Sequence, residues 1–193
     1  MMNLDNLLKD NNGVITLRQV KEFKIPYSHI RKKLDSGEIE KEEAGIYCLA
    51  DAYVDEYYIA SYRYPKGVFS LEMALWLHGL SLTIPFEMIM SFPYGTNTKL
   101  LKQANIKPII LRNNYDIGIT TIKTPNGHLV PVYDVERTLV ECLRPVYKID
   151  VQISAPAFKM YAQKGRINFS KLSYYAKLFK VEKKVQSYLE VLE

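Results

Sequence analysis

Pro26 divides the stretch from Thr16 to Gly37 into two short pieces. Proline lacks the amide that a helix interior needs, so Lys24-Ile25-Pro26 ends one helix and opens the next. The first piece has a defined start. Thr16 and Gln19 are spaced as a capping box, in which the hydroxyl and the amide each satisfy a backbone N–H, and Ile15 and Val20 stand at the staple positions around it. Leu17, Val20 and Phe23 supply its apolar face. In the second piece, from about Tyr27 to Ser36, Tyr27, Ile30 and Leu34 recur at i, i+3 and i+7 and face inward. That turns Ser28, His29, Arg31, Lys32 and Lys33 outward, and Gly37 terminates the helix.

The flanks complete a small domain over residues 1–49. Leu4, Leu7 and Leu8 predict a short first helix, stopped near Asn11-Asn12-Gly13. After Gly37, Glu38 to Glu43 and Ile46 to Leu49 predict a hairpin that turns at Ala44-Gly45. Two helices joined by a tight turn, the second one cationic, followed by a hairpin, is the order of a winged helix-turn-helix. Residues 1–50 carry 8 basic and 8 acidic side chains, yet residues 16–33 carry six basic and one acidic. A face that concentrates cations attracts phosphate, and an outward helix carrying Arg, Lys, Ser and His can reach base edges in a major groove. The predicted DNA contacts are therefore the N-terminus of the first helix of the pair, with Arg18 and Lys21, and Ser28, His29, Arg31, Lys32 and Lys33 from the second. The hairpin is acidic, with Glu38, Glu40, Glu42 and Glu43 around Lys41, so it is expected to stand off from phosphate or to meet protein. The alternative is a solvated helix face in a winged helix that serves as a protein-interaction adaptor.

Beyond residue 50 the texture changes. Ala52 to Tyr62 predicts a helix, Val68-Phe69 a short strand, and Ser70 the cap of a helix from Leu71 to His78 closed by Gly79. Strand-like runs follow at Phe86 to Phe92, Pro108 to Arg112, Ile117 to Lys123 and His128 to Val132, the last two joined by a turn at Pro125-Asn126-Gly127. Asp134 caps a helix to about Leu143, and from Ile153 the pattern is helical to the end, with breaks near Gly165-Arg166 and Phe179-Lys180. The fold class is α+β: an N-terminal winged helix-turn-helix followed by a mixed α/β domain with C-terminal helices, residues 50–193. No repeat and no Gly/Ser/Pro linker separates the two.

At 193 residues the chain can build its cores without disulfides or structural metal. Cys48 and Cys142 match no metal or redox spacing and are expected to be reduced, as in the cytoplasm. Met1 to Asp10 lacks the pattern of a signal peptide, and the least polar window, Met73 to Phe86, is broken by His78, Gly79 and Pro85, so no membrane association is expected. Neither a metal nor another cofactor is expected, because His29, His78 and His128 lie in different elements without ligand spacing. His78 is placed to meet carbonyls at its helix C-terminus. Gly95-Thr96-Asn97-Thr98-Lys99 lacks the first glycine and the spacing of a phosphate loop and is read as a polar loop.

Asp134 and Glu136 could form the acid pair of a metal-dependent nuclease. A helix cap with an acid in its first turn explains both residues equally well, and Arg137 next to them could neutralise the pair. A second basic cluster comprises Lys164, Arg166, Lys171, Lys177, Lys180, Lys183 and Lys184 against Glu182. It is either an additional nucleic-acid or partner surface or the solvent face of amphipathic helices.

Three stretches in order carry a family resemblance: Gly13 to Thr16 through Gly45-Ile-Tyr47, then Ser70-Leu-Glu-Met-Ala-Leu-Trp-Leu-His-Gly-Leu80, then Val132-Tyr-Asp-Val-Glu-Arg-Thr-Leu139. The chain resembles the AbiEi-type antitoxins of abortive-infection, type IV toxin–antitoxin systems. The resemblance implies a bacterial phage-defence setting. It also implies autorepression through binding of the N-terminal domain to double-stranded promoter DNA of the protein's own operon, with Thr16 and Gln19 joining Arg18, Ser28, His29, Arg31, Lys32 and Lys33 as DNA contacts. It further implies antagonism of a cognate nucleotidyltransferase toxin without a stable complex, by a protein that is not an enzyme. The family's Glu-Arg-Thr stretch falls on Glu136, Arg137 and Thr138, read as structural, with Arg137 paired to an acid at the helix start.

Overall fold

The computed structural model describes residues 3–165 and 167–190. The backbone gathers into two compact units. The first comprises residues up to Pro65 together with Lys123–Val130, and the second comprises Lys66–Ile122 and Pro131 onward. The first unit thus runs past the expected boundary at 49/50 and takes in a distant segment.

In the first unit, α1 (Leu4–Asp10) is capped by Asn3, whose side chain accepts the Asn6 amide. It ends through Asn12 and Gly13, both in the left-handed region. Strand β1 (Val14–Thr16) follows; the sequence pattern did not separate it from the staple. Helix α2 (Leu17–Glu22) starts at the expected capping box, with both reciprocal bonds formed by Thr16 and Gln19. Helix α3 (Tyr27–Asp35) begins after Pro26 and stops before Gly37. Strands β2 (Ile39–Glu43) and β3 (Ile46–Leu49) form the expected hairpin, and β1 pairs antiparallel with β3, giving the order β1-β3-β2.

Leu4, Leu7, Leu8, Ile15, Val20, Ile25, Ile30, Ile39 and Tyr47 make one core, which includes both staple residues. Two expected inward residues depart from it: Phe23 is 42% and Tyr27 53% exposed. Ile25, in the turn, takes the place that Phe23 was expected to fill. Helix α4 runs from Glu56 to Arg63, later than expected, because Asp55 caps it by accepting the Tyr58 amide. A second cluster, Val14, Ile46, Cys48 and Ile59, packs between the sheet and α4.

The second unit is built on a five-stranded sheet of β4 (Val68–Phe69), β5 (Met88–Pro93), β6 (Ile106–Leu111), β7 (Ile119–Lys123) and β8 (Leu129–Tyr133), in the order β6-β5-β4-β8-β7. β4 is antiparallel to β5 and parallel to β8, and β5 is parallel to β6, so the sheet is mixed. Residues 123–130, the turn with the adjoining strand ends, belong to the first unit. Helix α5 (Leu71–Leu77) has Ser70 at its N-cap position, but the hydroxyl is buried and makes no capping bond, contrary to expectation. The polar loop expected at 95–99 continues into a short helix, α6 (Lys99–Gln103). Helix α7 (Val135–Cys142) is capped by Asp134 as expected. It packs against α5, α8 (Val151–Gln163) and α9 (Phe169–Phe179), and α10 (Glu182–Glu190) packs on α9. No helix among the described residues is long and apolar enough to cross a membrane.

Candidate nucleic-acid interface

Ile30 is completely buried, and its burial fixes the roll of α3. Ser28, His29, Arg31 and Lys32 are consequently all exposed, as the i, i+3, i+7 spacing required. Lys33 is different. Its ammonium is held between Asp5 at 2.8 Å and Glu38, and the hydrogen bonds to Asp5 and Glu38 raise its pKa despite partial desolvation. Lys33 therefore ties α3 to α1 and to the start of the hairpin, in place of the outward contact expected of it.

From α2, Arg18 and Lys21 are exposed. The Arg18 guanidinium lies 5.5 Å from the centroid of the Tyr62 ring, within cation–π range. Thr16 is 1% exposed and its hydroxyl accepts the Gln19 amide at 3.3 Å. The Gln19 side chain returns to the Thr16 amide at 2.8 Å and donates to Asn11 Oδ1 at 2.8 Å. Both side chains are committed to the cap. The structure thus brings Ser28, His29, Arg31 and Lys32 together on one face of α3, leaves Arg18 and Lys21 outward on α2, and assigns Thr16, Gln19 and Lys33 to internal bonds.

Among the residues outside the predicted set, Lys24 and Tyr27 are also exposed in the same segment. Lys24 sits in the turn in the left-handed region, and Tyr27 opens α3. The charge count over residues 16–33 already contained Lys24. Tyr27 was hidden because its spacing to Ile30 reads as apolar-face periodicity, whereas its ring lies outside and its hydroxyl is 3.4 Å from that of Tyr47. On the hairpin, Glu40, Lys41 and Glu42 are exposed, and Glu43 is paired with Arg63 at 3.1 Å.

The second basic cluster is dispersed along α8, α9 and α10. Lys164 donates to the His78 carbonyl at 2.7 Å, Lys184 to the Leu143 carbonyl at 3.0 Å, and Lys171 pairs with Asp134 at 3.2 Å and Glu136 at 3.6 Å. Lys177, Lys180 and Lys183 are exposed, and Arg166 lies outside the described residues.

Asp134 and Glu136 are both engaged by neighbouring donors. Asp134 accepts the Arg137 amide and the Tyr175 hydroxyl, each at 2.8 Å, and Glu136 accepts the Tyr161 hydroxyl at 2.8 Å. They line a cleft of about 470 Å³ with His78, Thr120, Tyr161 and Lys171. Among the described residues no three His, Cys, Asp or Glu side chains are grouped to hold a metal ion.

The counter-charge to the acids is Lys171. Arg137 is instead 0% exposed and pairs with Glu141 at 3.2 Å, one turn along the same helix, which corrects the expectation of an acid at the helix start. Its guanidinium also donates to the Asn114 carbonyl at 2.7 Å and to that of Ile117, and lies 3.4 Å from the Tyr133 ring centroid. Gly118, in the left-handed region, lies close to both Tyr175 and Arg137: a Cβ there would collide with the Tyr175 hydroxyl and stand 3.2 Å from Arg137 Cδ. His78 also departs from its expected role. Its Nε2 lies 2.7 Å from the Tyr133 carbonyl on β8, and burial pulls its pKa down.

A hydrogen-bonded capping box, an outward cationic helix and a following hairpin occupy the first fifty residues. Residues 2–50 match the model of a family of transcriptional regulators. That family is described as "Transcriptional regulator, AbiEi antitoxin", and the match ends at residue 50. No curated protein sequence matches the chain. Over nearly its whole length the structure is similar to the crystal structure of the RV2827C protein from Mycobacterium tuberculosis. The TM-score is 0.60 at 12% identity, covering 96% of this chain and 74% of that one. At that identity the likeness concerns the fold alone.

Proposed function

We propose that this protein is a DNA-binding transcriptional repressor of its own toxin–antitoxin operon and the antitoxin of that pair. In this reading residues 1–49 are a winged helix-turn-helix. Helix α3 enters the major groove with Ser28, His29 and Arg31 at base edges, while Lys32, Arg18, Lys21 and Lys24 orient it on phosphates. The acidic wing of Glu40 and Glu42 stands off from the backbone. Residues 50–193 carry the antitoxin part, which opposes a nucleotidyltransferase toxin in the cytoplasm without a stable complex.

The observation that carries the reading is the exposed face of α3, opposite the buried Ile30, within the very residues that match the regulator family. It is supported by the second unit, where Asp134 and Glu136 are engaged by Lys171, Tyr161 and Tyr175, an arrangement that does not favour the nuclease alternative.

Fluorescence anisotropy of the full chain on the duplex immediately upstream of its own gene, against a shuffled duplex at two salt concentrations, tests the regulatory half. A preference for the upstream duplex with steep salt dependence is expected. Equal affinity for both duplexes, or none, overturns autorepression. Co-expression with the product of the adjacent gene tests the antitoxin half, with restored growth as the expected result.

A further inference from the structure

Asp55 and His128 are 0% and 5% exposed, and both belong to the first unit although they lie far apart in sequence. Asp55 Oδ1 accepts the Tyr58 amide at 3.1 Å. Asp55 Oδ2 accepts the Thr124 hydroxyl at 2.5 Å and lies 2.7 Å from His128 Nδ1. The other ring nitrogen, Nε2, lies 2.9 Å from the carbonyl oxygen of Asn11. The imidazole is stacked on the Tyr58 ring, with centroids 4.5 Å apart and planes 14° from parallel.

Counting protons fixes the charge of this cluster. A backbone carbonyl oxygen accepts and never donates, so Nε2 must carry a proton to bond Asn11. The Thr124 hydroxyl accepts the His128 amide at 3.2 Å, which leaves its own proton for Asp55. Both oxygens of Asp55 thus accept a donor, which favours the ionised carboxylate, and against that charge Nδ1 carries a proton. With both nitrogens donating, the ring is an imidazolium. A neutral ring would set a bare lone pair against an oxygen on one side or the other.

The chain of bonds continues from Asn11. Its Oδ1 accepts the Gln19 side-chain amide at 2.8 Å, and Gln19 closes the capping box of α2 with Thr16. Beside it, Asn12 Nδ2 donates to the Asn126 carbonyl at 2.7 Å. Among the described residues, the titratable groups that face the ring are Asp55 and Tyr58, both from the α4 side. The turn after α1 offers it the Asn11 carbonyl, and the 123–130 segment offers Thr124.

We propose that His128 is a proton-operated clamp, which as an imidazolium ties residues 123–130 to Asp55 and to the turn after α1, and on deprotonation gives up its bond to the Asn11 carbonyl, leaving that oxygen to the Val14 amide at 3.0 Å and loosening the α2 cap that Asn11 supports through Gln19.

The charge balance agrees with the geometry. Burial alone would neutralise both groups, but their mutual bond, with those to Thr124, the Tyr58 amide and the Asn11 carbonyl, holds Asp55 below and His128 above its ordinary value. The sign follows for each. A raised histidine contributes stability that is complete below its unfolded pKa, about 6.5, and is lost as pH rises through the folded value. A lowered aspartate contributes stability that is present above its unfolded pKa, about 3.9, and is lost as pH falls through the folded value. The clamp is closed between these limits and opens on the alkaline side at His128.

The test is a pH titration of the full chain, labelled with nitrogen-15, following the ring nitrogens of His128 and the side-chain amide of Gln19 by NMR. The midpoint of ring protonation is expected to lie above the ordinary histidine value of about 6.5, with both ring nitrogens protonated below it. The Gln19 signals are expected to move with the same midpoint as the ring. A ring midpoint at or below that ordinary value, or Gln19 signals that ignore the ring's midpoint, overturns the proposal. Asp55→Asn keeps a good helix cap and removes the counter-charge. It is expected to weaken proton binding by His128 at least tenfold, and an unchanged midpoint likewise overturns the proposal. Because no DNA enters this measurement, its outcome is separate from that of the regulatory reading.

Discussion

Two stretches of this chain hold almost the same excess of positive charge, and the fold uses them differently, although each keeps exposed cations: Arg31 and Lys32 in one, Lys177, Lys180 and Lys183 in the other. Residues 16–33 carry a net +5 and residues 164–184 a net +6. In the first stretch Arg31 and Lys32 stand exposed on α3, and Lys33 is tied to Asp5 and Glu38. In the second, Lys164 and Lys184 donate to backbone carbonyls, and Lys171 serves two carboxylates. Nearby, Arg137 goes furthest, burying its whole guanidinium. Helix ends and loops leave carbonyls in need of donors, and long cationic side chains supply them. A count of charge is therefore an inventory, whereas the field a surface presents depends on what the fold leaves unspent.

The sharpest way to break this contrast is Arg137→Ala. It strips a partner from the buried Glu141 and leaves the Asn114 and Ile117 carbonyls without their donor. Unfolding in denaturant should show a loss of about 3–5 kcal/mol, with no direct effect on DNA contact. Arg31→Ala should do the reverse. If Arg31 grips a guanine, affinity for the upstream duplex falls by about 1–3 kcal/mol and one base position becomes permissive, while the unfolding midpoint stays put. Thr16→Ala tests the border between the two uses. As a cap residue it should cost about 1 kcal/mol of stability, and any loss of DNA affinity should track that destabilisation.

Lys32→Ala should weaken binding to upstream and shuffled duplexes alike, lowering the slope of log affinity against log salt by about 0.9. The smallest effect is expected from Lys171→Met, whose pair is half exposed and screened. Stability should change by about 0–1 kcal/mol and DNA affinity not at all. A marked loss of DNA affinity in that variant would mean that the second cluster is a nucleic-acid surface after all.

Local chemistry was the legible part of the sequence. The Thr16–Gln19 box, the proline break, the rise of Ile30 into the core and the Asp134 cap each depend on residues within one or two turns of one another. What escaped depends on partners distant in sequence. Val14–Thr16 becomes a strand because β3 lies beside it, which a run of three residues cannot announce. Arg137 was read against its nearest acids, Asp134 and Glu136, but the carbonyls of Asn114 and Ile117, together with Glu141, draw its guanidinium away from the helix start. His128 showed no ligand spacing because its partners, Asp55 and the Asn11 carbonyl, come from opposite ends of the first unit. Of the candidate interface, the face of α3 was readable from periodicity. The withdrawal of Thr16, Gln19 and Lys33 from it was not, since each is claimed by a bond that periodicity does not encode.

The return of residues 123–130 to the first unit also has a meaning in time. A ribosome adds about 5–20 residues each second, so a nascent chain that has reached Pro65 waits about 3–12 s before His128 is made. Throughout that interval Asp55 lacks the imidazole that faces it in the finished protein. The N-terminal helices thus precede the imidazole, and the buried Asp55 is matched only once residue 128 has been added.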